Sequence, residues 1–206
     1  MQENTKLLSL FPIPVYTSII EVTDKTKHDV KDLSFAPVKA KNGHMSLDKD
    51  LLNSPQFANL KSQVDSHVQL YVKNIFSPAD SIEFVLTTSW AMKHYAGDWS
   101  NSHSHANAVI SGIVYLETHP DSGSLVFTKT IENLSSGMLH IGVKDYNPFN
   151  ADTWGITPEN NQIVIFPSNL PHKVTPNNSS IERYCVAFNY FVKGILGQDE
   201  GKLIIT

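Results

Sequence analysis

Apolar residues change their spacing near residue 80, and the change divides the chain into two kinds of structure. Before it, Phe57, Leu60, Val64, Val68, Tyr71 and Ile75 recur at three- and four-residue intervals, which predicts a helix from Pro55 to about Phe76. Ser54 stands where a cap belongs, Pro55 falls in the first turn, and Ser77-Pro78 ends the element. From Ile82 onward the apolar runs are short and separated by turn formers. They predict β segments at Ile82–His94, Val109–Leu116, Ser124–Thr128, Met138–Val143, Gln162–Phe166, His172–Thr175 and Tyr184–Val192. The separators are Ala96-Gly97-Asp98, Pro120 to Gly123, Ser135-Ser136-Gly137, Pro158 to Asn161 and Pro176-Asn177-Asn178. Leu7 to Ile20 reads as extended, with Pro12 and Pro14 suited to a sheet edge, and the polar stretch Asp24 to Lys49 is expected to wrap the surface. Many short strands with one strong helix predict a mainly β fold, a sandwich or barrel with the helix packed outside. The connection Asp145–Thr153 is too long for a tight hairpin and is of a size that often covers a site.

Composition narrows this picture. At 206 residues, 41% hydrophobic and 17% charged, the chain is expected to form a single globular domain over 1–206 with a substantial core. A net charge of −4 with no Lys/Arg cluster argues against a nucleic-acid surface. Cys185 is the only cysteine, so no internal disulfide can form and a thiolate zinc cage is excluded. No apolar run approaches a membrane span, and Met1 to Phe11 does not read as a signal peptide. The expectation is a cytoplasmic protein.

The chemistry concentrates in Ser102-His103-Ser104-His105, in His172 after Pro171, and in Arg183. Histidines two apart on an extended strand share a face, so His103 and His105 can reach one ion. The rigid corner Phe166 to Pro171 feeds His172 into a new strand. Three imidazoles suit a late first-row divalent metal, and an arginine is the natural fork for a carboxylate that reaches it. On the last strong strand, Arg183, Cys185, Ala187 and Asn189 take one face and Tyr184, Val186, Phe188, Tyr190 and Val192 the other. Bulky residues then fill a core on one side, while the arginine lies on the floor of a pocket on the other. Unbroken parity from His103 would also bring Tyr115 to the metal-facing side. Singly, each of these residues has a plainer reading: an exposed loop histidine, a turn histidine, a surface arginine paired with Glu182. The ordered set points to a mononuclear iron site with a carboxylate co-substrate. Of the other histidines, His67 is expected on the exposed side of the helix; His94, one residue before Tyr95, is expected in a structural role, with lining the pocket as the alternative. Trp90 and Trp99 are expected to build the core and the site's wall. Cys185 is expected to face inward.

Ser89-Trp90 through Tyr95, Gly97, Trp99, His103 and His105 resembles the Tyr-x-x-Gly…His-x-Asp region of iron(II)/2-oxoglutarate oxygenases of the prolyl-hydroxylase-like type. Ser111-Gly112, Tyr115-Leu116, Gly123 to Phe127, Ile165 to Ser168, His172 to Asn177 and Arg183 to Asn189 are similar to a bacterial and phage branch of that superfamily. Leu10 to Val15 and the helix after Asn53 extend the likeness to nearly the whole chain. The resemblance implies a double-stranded β-helix (jelly-roll) fold with its metal-binding core at about 82–193. It implies an iron(II) ion held by His, carboxylate and His, with 2-oxoglutarate as co-substrate and an arginine on its distal carboxylate. The implied reaction releases succinate and CO2 as O2 oxidises a substrate C–H bond, most simply a hydroxylation. Carried over, His103 and His172 are metal ligands, Arg183 is the co-substrate anchor, Tyr115 matches the tyrosine that in some relatives also contacts the distal carboxylate, and Tyr95 is expected to line the same pocket. At His105 the chain departs from the pattern, since Asp or Glu is usual there; an imidazole leaves the site one negative charge short. Two other functions compete: a three-histidine metal dioxygenase that does not use 2-oxoglutarate, and a non-catalytic jelly-roll binding module. The substrate is expected to be a small molecule or a peptidyl side chain, and the sheet edges and helix allow a homodimer.

Overall fold

The computed structural model describes residues 6–39, 42–129 and 142–206. In chain order its elements are β1 (Tyr16–Ile19), α1 (Asp24–Lys31), β2 (Phe35–Pro37), β3 (His44–Ser46), α2 (Ala58–Ile75), β4 (Ile82–His94), β5 (Ser100–His103), β6 (Ile110–Glu117), β7 (Leu125–Thr128), β8 (Thr153–Ile156), β9 (Gln162–Pro167), β10 (His172–Val174), β11 (Arg183–Leu196) and β12 (Leu203–Ile205). The larger sheet runs β1-β9-β6-β11-β4-β3-β2, with β12 added to the far end of β11. The smaller sheet runs β5-β10-β7-β8. Strand pairing is antiparallel throughout both sheets. This is a double-stranded β-helix with α2 packed on its outside.

Two apolar clusters place the layers. One joins the outward side chains of β11 (Tyr184, Val186, Phe188 and Tyr190) to Leu60, Val64, Val68 and Tyr71 of α2. The other lies between the sheets and joins Tyr115, Val164, Phe166 and Cys185 to Leu125, Phe127 and Val174. Strands β6, β9 and β11 are therefore covered on both faces, which is why they read as nearly continuous apolar runs rather than clean alternations.

The predicted helix is present, opened by a 3-10 turn over Pro55–Phe57. Ser54 makes no side-chain cap bond. A missing cap costs about 1 kcal/mol. Burying Phe57, Leu60, Val64, Val68, Tyr71 and Val72 contributes roughly 1.5–3 kcal/mol each, so packing decides this element. Ile75, counted in the predicted stripe, is exposed instead. His67 is half-buried, and its Nδ1 meets the Tyr16 hydroxyl at 2.7 Å, so it does not sit on a free surface.

The polar stretch Asp24–Lys49 holds more structure than expected: α1, capped by the Thr23 side chain, and the strands β2 and β3. Helix α1 buries only Thr26 and Val30, too few for a periodic signal. The predicted strand at Met138–Val143 and the Ser135-Ser136-Gly137 turn lie in or across 130–141, outside the described residues. Among the described residues, no helix is long and apolar enough to cross a membrane.

Candidate metal centre

The smaller sheet puts His103, at the end of β5, directly opposite His172, at the start of β10. His105 is not on β5. The strand ends at His103, and a turn through Ala106 and Asn107, with Asn107 at φ 55°, leads into β6. The shared strand face expected for His103 and His105 is therefore not how they meet. Instead the His105 amide donates to the Ser168 carbonyl at 2.9 Å, folding the loop back over the sheet. The ring centroids stand 5.3 Å apart for His103–His105, 4.4 Å for His103–His172 and 5.1 Å for His105–His172. One ligand nitrogen from each lies within 4.8 Å of the other two. Among the described residues this is the only such group, and no carboxylate joins it. Asp98 is engaged elsewhere, accepting the Tyr95 amide at 2.9 Å.

Each ring is held through Nδ1. His103 Nδ1 lies 2.8 Å from the Asn101 carbonyl, His172 Nδ1 2.9 Å from the Leu170 carbonyl, and His105 Nδ1 2.8 Å from Asn189 Oδ1. A carbonyl oxygen only accepts, so in the neutral ring the proton sits on Nδ1 and the lone pair on Nε2. The Asn189 amide is itself oriented: its Nδ2 donates to Thr88 Oγ1 at 3.0 Å, and its Oδ1 also accepts from Ser111 Oγ at 2.7 Å. Burial drives the His172 pKa down to about 4, and the nearby His103 and His105 push the same way. Burial also lowers His105, partly opposed by its bond to Asn189. Both rings are thus neutral near pH 7, as ligation requires. Trp90 stacks against His105 at 5.8 Å and 25°, forming the site's wall as expected. Trp99 is half-buried and not part of that wall.

The three histidines open into a cavity of about 440 Å³ between the sheets. Its floor is the face of β11 carrying Arg183, Cys185, Ala187 and Asn189, while the alternate residues enter the outer core. Arg183 is 1% exposed. Its Nη1 donates to the Ser122 carbonyl at 2.8 Å and, more weakly, to that of Gly123 at 3.4 Å. Gly123, at φ 86°, lies so close to β10 that a Cβ would sit 2.2 Å from the Thr175 carbonyl oxygen. Arg183 Nε is buried without a partner, and no carboxylate pairs with the guanidinium among the described residues. A buried cation without a counterion is costly, and an anionic ligand would remove the deficit.

Tyr115 lies in β6, across from Cys185, with its hydroxyl buried and unpartnered. Burial raises its pKa above the usual phenol range, opposed by the charge of Arg183. Burial likewise pushes the Cys185 thiol up to about 11, so it is an inert part of the floor. Tyr95 corrects an expectation. It is 39% exposed, packs edge-on against His44 at 5.0 Å under Lys93 at 4.5 Å, and does not line the cavity. Nor do residues 145–153, the connection expected to cover a site.

Of the two readings of His94, the alternative is the one seen: it lines the cavity and is Arg183's cross-strand partner. That pairing depends on the β4–β11 register, which no local pattern announces. Asn189 was legible only as a pocket-facing residue; its hold on His105 was not.

The profile of the family described as "Putative 2OG-Fe(II) oxygenase" matches residues 88–189, which contain β4 from Thr88 through the first half of β11 and all three histidines. No curated protein matches in sequence. Similar solved structures include a 2OG-Fe(II) oxygenase family oxidoreductase from Burkholderia pseudomallei, 13% identical, covering 84% of this chain and 83% of that one, with a TM-score of 0.58. HygX from Streptomyces hygroscopicus, with nickel and 2-oxoglutarate bound, is 10% identical, with coverages of 86% and 82% and a TM-score of 0.60. A Pseudomonas putida prolyl-4-hydroxylase is 12% identical, with coverages of 86% and 92% and a TM-score of 0.54. At these identities the structures speak for the fold, and the profile supplies the family. The chain belongs to the 2OG-Fe(II) oxygenase family.

Proposed function

We propose that His103, His105 and His172 hold the iron(II) through their Nε2 atoms, that Arg183 and Tyr115 anchor the distal carboxylate of 2-oxoglutarate, and that the product is a hydroxylated substrate. The observation that carries this reading is the convergence of one ring nitrogen from each of three histidines, all held at Nδ1 by an acceptor, over a cavity whose floor holds a buried guanidinium with no counterion. The donor set fits the metal, since imidazole is a good ligand for iron(II). When bound, the iron and 2-oxoglutarate together supply oxygen activation coupled to decarboxylation, with succinate and CO2 as co-products.

The chain's own residues set the geometry. Asn101, Leu170 and Asn189 fix the three tautomers. Ser122 and Gly123 aim Arg183, and the Trp90 ring braces His105. A third neutral imidazole in place of a carboxylate leaves the centre one unit more positive, which strengthens its attraction for a dianionic co-substrate. The same reading takes 1–206 as a single domain working in the cytoplasm on a small molecule or peptidyl side chain, without nucleic acid or membrane. The net charge of −4 and the lack of a basic cluster support that part.

An anaerobic optical titration of iron(II)-loaded protein with 2-oxoglutarate tests the assignment. A weak visible charge-transfer band should saturate in wild type and fade in His105→Ala and in Arg183→Ala. Iron binding without a band in wild type would mean that 2-oxoglutarate is not chelated at this centre. An undiminished band in His105→Ala would remove His105 from the ligand set.

A further inference from the structure

The cavity floor carries one polar group that the assignment above does not use. His94 and Arg183 are directly opposed on β4 and β11, so their side chains rise from the same face of the sheet as neighbours. Both line the cavity. The Nε2 edge of the His94 imidazole is occupied: Nε2 lies 3.2 Å from Ser100 Oγ, and a Cβ on Gly43 would stand 2.8 Å from Cδ2 and 2.9 Å from Nε2. The opposite nitrogen, Nδ1, is buried and has no partner among the described residues.

Burial, then the charges of Arg183 and His44, hold the imidazole neutral by lowering its pKa to about 3. A neutral ring carries one N–H. The Ser100 hydroxyl can donate to Nε2 or accept from it; when it donates, the ring proton is on Nδ1, where it lacks an acceptor. Three polar groups near Arg183 are thus unsatisfied in the same interior: Arg183 Nε, the Tyr115 hydroxyl and His94 Nδ1. Arg183 pairs with His94 across β4 and β11, and Tyr115 pairs with Cys185 two residues further along the same face of β11, which places the three in one neighbourhood. Buried donors without acceptors are rare, and three together mark the place of a missing partner. A carboxylate, with about four lone-pair sites, can accept from all three.

We infer that His94 donates from Nδ1 to the distal carboxylate of the co-substrate and is a specificity-determining residue for a 2-oxo acid ending in a carboxylate. The inference rests on the iron and 2-oxoglutarate assignment above.

The test compares 2-oxoglutarate with 2-oxovalerate, which keeps the 2-oxo acid and replaces the distal carboxylate by a methyl group. Binding is measured by calorimetry on nickel(II)-loaded protein, so turnover plays no part. Wild type should prefer 2-oxoglutarate, and Arg183→Ala should lose most of that preference. An asparagine amide reaches the place of Nδ1, whereas a glutamine amide reaches the place of Nε2. His94→Asn should therefore stay within about threefold of wild type, while His94→Gln and His94→Leu lose about 10- to 100-fold in 2-oxoglutarate affinity, the worth of a hydrogen bond to a charged group. Affinity for 2-oxovalerate should be unchanged in all three, which shows that the fold and the metal are intact.

A second measurement needs no variant. In zinc-loaded wild type labelled with 15N-histidine, the Nδ1–H resonance of His94 should move downfield with 2-oxoglutarate and stay in place with 2-oxovalerate. If wild type binds both acids equally, the anchor assignment fails and this inference falls with it. If wild type and Arg183→Ala behave as required but His94→Gln and His94→Leu keep the wild-type preference, or the resonance does not move, the role of His94 alone is overturned.

Discussion

A single amide oxygen, Asn189 Oδ1, holds His105 in the tautomer whose lone pair is on Nε2. Partners behind a metal-bound histidine typically change metal affinity by 10–100-fold. Asn189→Ala removes the acceptor and frees the ring to turn, so iron(II) affinity, read by competition with a chromophoric chelator, should fall by about that factor. Asn189→Asp keeps an acceptor in the same place and should stay within a few-fold of wild type. Wild-type affinity in Asn189→Ala would instead assign the orientation of the ring to the stacked Trp90. The histidine pair, the later His172 and the arginine were readable because their residue types and order are unusual. The route by which they meet was not: a turn after β5, and not strand parity, delivers His105. Tyr95 and His94 are adjacent in sequence, and of the two only His94 lines the cavity. Their positions depend on pairing with β3 and β11, which is settled by contacts far along the chain.

Strand β11 has to serve two interiors at once. Its alternation of small and bulky residues was legible, and with it the pocket floor and the outer core. Strand β4 was legible to its ends because β-branched and aromatic residues fill it between turn formers. Strands β8 and β12 carry no signal of their own; at four and three residues they are too short for a period, and their pairing partners define them. The close approach of β6 to β11 is also invisible in sequence and rests on Gly112. A Cβ there would stand 2.3 Å from the Phe188 ring and 2.8 Å from the Val164 carbonyl oxygen. The ring is buried in the outer core and the carbonyl belongs to the β9 backbone, so neither yields easily. Gly112→Ala should therefore lower the stability measured by urea unfolding by roughly 1–3 kcal/mol, the usual cost of overpacking. Gly155→Ala on β8 is the control, because its Cβ would meet only Val126 Cγ2 at 3.8 Å. That substitution should be neutral or slightly stabilising. Equal losses at both glycines would show a general intolerance of β carbons in these strands, with nothing special about the approach at Gly112.

Building a cavity around neutral imidazoles ties the stability of the entire metal-free chain to pH. Folded His94 titrates at about 3 and His172 at about 4, both held down chiefly by burial, whereas in an unfolded chain each titrates near 6.5. Between those values the unfolded state binds more protons than the folded state, so stability rises with pH and is lost as pH falls below about 6.5. Each histidine contributes a slope of up to about 1.4 kcal/mol per pH unit, levelling off once the folded value is passed. Glu182 adds acid sensitivity of its own, because the Tyr184 hydroxyl and then Lys93 lower its pKa, but that acts only below the carboxylate's ordinary value. Urea midpoints for metal-free protein at pH 7.5, 6.0 and 5.0 therefore isolate the histidines. Wild type should lose stability steadily from 6.0 to 5.0, and His94→Leu should lose it with a shallower slope by one titrating group. Adding metal should raise the midpoint at pH 7.5, because a ligand that binds only the folded chain stabilises it. That increment should shrink toward pH 5.0 as protons compete for the same Nε2 lone pairs. A flat profile in the metal-free protein would mean that the rings keep their ordinary pKa in the fold, and burial would then not be what holds them neutral.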